Sequence, residues 1–111
     1  MKDDRVYLLH IRDSVQRIFK YTAAGKAVFL SETIIQDAVI RNLEIVGEAV
    51  KNISDKIRLS YPEVPWKQIA GMRDKIIHEY FGVNLDLVWD AVEKDLPSLA
   101  EKVETILKSS G

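Results

Sequence analysis

The chain has 111 residues, enough for one domain spanning 1–111 and too few for two of ordinary size. Apolar residues make up 47% and charged residues 30%, which excludes a disordered chain, and 16 basic against 17 acidic residues leave no global field to draw it to a polyanion. The absence of cysteine excludes a disulfide framework, a thiolate zinc site and a cysteine nucleophile.

The first helix is predicted from Asp3 to Thr22. Asp3 and Asp4 suit its positive end, and Leu8, Ile11, Val15, Ile18, Phe19 and Thr22 form one stripe at helical spacing. Ala23-Ala24-Gly25 ends it. A second helix is expected to start at a Ser31 cap and run to Ile53. Its apolar face holds Ile34, Ile35, Ala38, Val39, Ile45, Val46, Ala49, Val50 and Ile53, with Asn42 near the middle in need of a partner. A short helical turn over Ser54–Leu59 leads to Tyr61–Trp66, a connector whose two prolines forbid a regular helix.

The third helix is predicted from Trp66 to Phe81, stopped by Gly82, and the fourth starts at an Asn84 cap. Leu85, Val88, Trp89, Val92, Leu96, Leu99, Ala100, Val103, Ile106 and Leu107 hold one stripe to its end, with Pro97 off the stripe and expected to bend the helix rather than break it. No segment shows sustained strand alternation. The expected fold is all-α, an up-and-down bundle of four main helices with one short extra turn. A bundle this small buries a modest share of its surface and gains from pairing with another chain. Neither a secretory leader at Met1–Arg5 nor an apolar run near the ~20 residues that span a bilayer is found, so the expectation is a cytoplasmic protein without membrane contact.

The third helix carries an anomaly. Ile69, Met72, Ile76, Ile77 and Tyr80 share one side of it, and Arg73 falls in the middle of that side. A guanidinium there pairs with a carboxylate or amide, or lines a groove reserved for an anion. Asn42, Glu44 and Glu48 of the second helix are candidate partners. His78 lies roughly 140° from Arg73 on the wheel. Asp74, four residues before His78, shares its face and can hold the imidazole in one tautomer, while Tyr80 stacks within about 20° of Arg73. His10 reads as a surface residue. With two histidines so far apart in sequence, neither a metal site nor a cofactor is expected.

Arg73, four residues, His78, one residue and Tyr80 resemble the Arg-x4-His-x-Tyr signature of HepT-like toxins, minimal members of the HEPN ribonuclease superfamily. The flanks resemble the family as well: Pro65–Met72, Phe81–Trp89, Leu43–Ala49 and Asp95-Leu96-Pro97. The resemblance implies an all-helical homodimer, or a higher oligomer, with a ribonuclease cleft where the motif helices of two subunits meet. It implies metal-independent RNA cleavage, with His78 moving protons and Arg73 holding the scissile phosphate; Asp74 is assigned an orienting role. Tyr80 matches the tyrosine that an MntA-type nucleotidyltransferase antitoxin modifies with AMP, which would place bulk and negative charge over the cleft.

Three readings follow. The first is a ribonuclease toxin silenced at Tyr80. The second is a non-catalytic helical module that docks a nucleotidyltransferase, and the third is a dimeric scaffold with a structural Arg73 ion pair.

Overall fold

A computed structural model describes residues 3–78 and 84–109, apart from the side chains at 73, 76, 77 and 78. Every element in it is helical: α1 (Asp4–Tyr21), α2 (Lys26–Ser31), α3 (Thr33–Lys51), α4 (Asp55–Ser60), α5 (Trp66–His78), α6 (Leu85–Asp90), a π-helical turn (Ala91–Asp95) and α7 (Leu96–Ser109). Helix α3 packs against both α1 and α5, and α7 packs on α1.

The expected stripes form the core. Leu8, Ile11, Val15 and Ile18 of α1 are sealed against Val39, Leu43, Val46 and Val50 of α3 and against Leu96, Leu99, Val103 and Ile106 of α7. Asn42 is buried on α3, and its Nδ2 donates to the Ala38 carbonyl at 2.8 Å, so the polar group on the apolar face is satisfied inside its own helix. Ile34 departs from its expected place: it is 82% exposed.

The second predicted helix is two helices. Ser31 is not a cap; it ends α2, and its hydroxyl donates back to Val28. Gly25, at φ 97°, turns the chain into α2 through the left-handed region. Six residues do not hold a helix by themselves. Phe29 anchors it, fully buried with its ring 5.4 Å from that of Trp89, and Lys26 meets Asp86 at 3.3 Å. Glu32 closes α2 and opens α3 without a side-chain cap, and Gln36 reaches back to the Phe29 and Leu30 carbonyls.

Helix α4 begins one residue after its Ser54 cap. Arg58 turns back from it to bond the Ile53 and Val50 carbonyls, which closes the end of α3. The Ser54 amide and hydroxyl both donate to Asp4, at 2.8 and 2.6 Å, tying the start of α1 to the start of α4 across 50 residues. Asp4→Ala leaves both donors without that acceptor and is expected to lower stability by about 1–3 kcal/mol, read as a reduced urea midpoint at unchanged slope.

Pro65 supplies the first acceptor of α5, and the Trp66 indole donates to the Tyr61 carbonyl at 2.9 Å. The described part of α5 ends at His78, so the expected Phe81 end and Gly82 stop lie outside the described residues. Asn84 caps α6, accepting from the Asp86 and Leu87 amides. The last helix continues through Pro97 as expected, by a device that the sequence did not reveal. Before the proline the Leu96 amide bonds five residues back to Ala91, and a wide π turn takes the place of a kink.

Candidate functional site

Arg73, Asp74 and His78 all lie on α5. The side chains at 73 and 78, and Tyr80 as a whole, lie outside the described residues. Their register can still be fixed. Trp66, Ile69 and Ala70 are the buried face of α5, and position 73 falls within that arc. Position 78 lies well round the helix, about 40° from Asp74 and about 20° from Gly71. One flank of α5 is therefore defined by Asp74, and an adjoining one by Gly71 and Lys75.

On the first flank the Asp74 carboxylate meets the Lys51 ammonium at 3.4 Å. Both side chains are substantially exposed, so the pair adds roughly 0–1 kcal/mol; its value here is positional, because it ties the middle of α5 to the end of α3. Lys51 also lies on the α3 stripe that carries Glu44 and Glu48, at spacings of four and three. These two glutamates line a cleft between α1 and α3 together with Tyr7, His10 and Arg41. Two of the three candidate Arg73 partners are thus brought to one open cleft, with Asn42 bonded within its own helix. His10 is exposed as expected, yet it faces Glu44 and Glu48 rather than featureless surface. Among the described residues no group of three acidic, histidine or cysteine side chains could hold a metal ion, and no helix is long and apolar enough to cross a membrane.

The second flank opens on a groove that residue-by-residue reading missed. Gln68, Gly71, Met72 and Lys75 of α5 face the cap Asn84, Leu87 and Val88 of α6, and Asp90, Ala91, Lys94 and Asp95 around the π turn, enclosing about 280 Å³. Two features of the sequence pointed to it: a glycine in a helix interior, which sacrifices about 1 kcal/mol against alanine, and two aspartates one wide turn apart. Burial is the main reason that the Asp95 carboxyl titrates above its ordinary range; Asp90 adds like charge, and Lys94 opposes both. A raised folded-state value means that ionised Asp95 weighs against the native state, with the penalty growing as pH climbs from the ordinary carboxylate range through the raised value. Asp95→Asn should therefore raise the melting temperature at about pH 7, with the gain vanishing near about pH 3, where both states are protonated. Equal effects at the two pH values would contradict this.

Glu63 shifts the other way. Its own backbone amide, then Lys102 at 3.2 Å, hold its carboxyl below the ordinary range and fasten the connector to α7.

The family described as Ribonuclease HepT-like matches residues 11–106. A Methanocaldococcus jannaschii protein whose name joins gamma-glutamylcyclotransferase to a provisionally named RNase is 44% identical over 108 residues, covering 96% of this chain and 49% of its own length. A provisionally named RNase of Caldanaerobacter subterraneus is 42% identical over 109 residues, covering 97% of each chain. A Thermococcus cleftensis protein named probable ribonuclease HepT is 44% identical over 103 residues, covering 92% of this chain and 94% of its own. The chain therefore spans about half of the first relative and nearly all of the other two. No solved structure matches it.

Proposed function

The chain belongs to the HepT-like ribonuclease family, and from that premise we propose that it is a metal-independent endoribonuclease, the toxin of a toxin–antitoxin pair, with its cleft between the α5 helices of a homodimer. The observation that carries the reading is the family match over residues 11–106, which encloses Arg73 and His78 in their motif spacing on one helix.

In this reading the 2′-hydroxyl of RNA attacks the adjacent phosphorus. The new 2′-O–P bond forms as the P–O5′ bond breaks, leaving a 2′,3′-cyclic phosphate and a 5′-hydroxyl. His78 suits the proton transfers, taking the proton from the attacking hydroxyl or giving one to the departing oxygen, since imidazole titrates near neutrality. Arg73 offers a planar fork of donors to the phosphate and to the charge that grows on it. The angle of roughly 140° between positions 73 and 78 suits a twofold arrangement, in which a second copy of each residue enters the same channel. Asp74, fixed by Lys51, is one helical turn from His78 and is proposed to orient its ring.

Tyr80 is the proposed acceptor of AMP from a nucleotidyltransferase antitoxin. Phosphates added beside the cleft would repel RNA and compete for Arg73. Protein co-produced with such an enzyme is expected to gain mass in multiples of an adenylyl group, and Tyr80→Phe is expected to gain none. Equal gains in both would place the modification elsewhere.

The decisive experiment exposes RNA to purified, mass-verified unmodified protein in the presence of a chelator. Cleavage there, ending in cyclic phosphates, is the expected result; intact RNA would overturn the nuclease reading. The near balance of charge, 16 basic against 17 acidic residues, favours as second reading a helical module that serves a nucleotidyltransferase without cutting RNA.

A further inference from the structure

The groove between α5 and the α6–π segment has walls of one kind and a rim of another. Met72, Leu87, Val88 and Ala91 are apolar, and Leu87 is 42% exposed, a large apolar side chain left open to solvent. At the rim, Lys75 has no ion-pair partner among the described residues, and Asp95 makes no hydrogen bond among them. A Cβ built on Gly71 would meet nothing within 4 Å, so the missing side chain leaves usable space. The volume of about 280 Å³ falls just below the ~300–1,000 Å³ typical of ligand pockets, room for one ring system rather than an extended ligand.

The position of this space matters as much as its lining. Gly71 and position 78 are seven residues apart, so they lie on nearly one line along α5, about 10 Å from each other. A ligand resting on Gly71 lies beside the line that leads to the proposed proton-transfer residue.

We infer that this groove is a base-binding subsite for RNA, taking one unstacked nucleobase against Met72 and Leu87, with Lys75 toward its phosphate and Asp95 toward its amino edge. The inference rests on the ribonuclease reading for its substrate class. Unpaired bases splayed from a strand are bound through apolar contact on their faces and hydrogen bonds on their edges. A carboxylate accepts from an exocyclic amine, and most fully from guanine, which sets a ring N–H beside its amino group and can present both donors to one carboxylate. Uracil carries no amine and fits worst. The subsite would thus select the nucleotide beside the cut and favour amino-bearing bases, guanine first.

The test titrates GMP, AMP, CMP and UMP into the wild-type protein by calorimetry, with inorganic phosphate as control. GMP is expected to bind at least fivefold more tightly than UMP, with phosphate alone weaker than any nucleotide. Gly71→Leu fills the groove and exchanges a helix-interior glycine for a strong helix former, so its melting temperature should hold or rise. It is expected to weaken GMP binding at least tenfold. Should Gly71→Leu misfold, Lys75→Gln at an exposed position serves instead, with an expected loss of threefold or more for GMP. Asp95→Asn is expected to erase the preference over UMP.

Equal affinity for all four nucleotides, or GMP binding that survives both Gly71→Leu and Lys75→Gln, would overturn the subsite even if the protein cuts RNA. So would a Gly71→Leu protein that changes from dimer to monomer by light scattering while keeping its GMP affinity, since the groove would then be a surface between two copies. Binding as expected with no RNA cleavage would remove the ribonuclease reading and leave the nucleotide site standing.

Discussion

His78→Ala is expected to lower RNA cleavage by about 10²–10⁴-fold at unchanged melting temperature, the range that a positioned proton-transfer group contributes. Arg73→Ala is expected to lose about 10²–10³-fold, comparable to removing one donor that stabilises charge in a transition state. The two losses should not add, because both act on one phosphate; the double variant should resemble the worse single one. Position 73 lies within the buried register of α5, so its truncation calls for a stability measurement beside the assay. Arg73→Lys supplies the finer comparison: it keeps the charge but not the two-pronged donor, and should recover stability more than rate. Cleavage within twofold of wild type in His78→Ala would remove the imidazole from the mechanism.

The second large effect concerns stability. Phe29→Ala is expected to destabilise the protein by about 3–5 kcal/mol, the usual range for a large aromatic side chain removed from a closed core. Phe29 is fully buried in the core, in tilted contact with Trp89, and is the one buried residue of this six-residue helix. Domains of this size are typically stable by only ~5–15 kcal/mol, so the variant should unfold at a much lower urea concentration. Ile34→Ala is the paired control. Three residues beyond α2 and 82% exposed, it should change stability by no more than about 0.5 kcal/mol. Similar losses in the two variants would mean that α2 is not held through Phe29.

These two residues also mark where the sequence could be read and where it could not. Periodicity located α1, α3 and α7 because their stripes, such as Leu8–Ile11–Val15–Ile18, are long enough for the helical repeat to declare itself. Asn84 was legible as a cap because its chemistry is local. Helix α2 was not, because its holds include Trp89 and Asp86, about sixty residues away. Ile34 looked like core because it was counted with the broad apolar face of the segment, but it lies about 140° from Val39 round α3 and is left outside. The candidate site divides the same way. Arg73 and His78 were readable from spacing and resemblance, and Asp74 from its place one turn before the histidine. Lys51, which holds Asp74, and the groove formed by residues near 71 and near 91 depend on which elements meet across the fold.

The wide turn at Ala91–Asp95 makes chain length negotiable at one point in a molecule where packing otherwise dictates it. Such a turn is an ordinary helix that has absorbed one surplus residue, with the stretches on either side left in phase. Excising a single exposed residue there, Glu93 or Lys94, would regenerate an unbroken helix and leave Val88 and Leu99 seated where they are. What would alter is the outline beside α5 drawn by Asp90, Lys94 and Asp95. Relatives differing by one residue at this turn would therefore share a common interior while lining that groove differently.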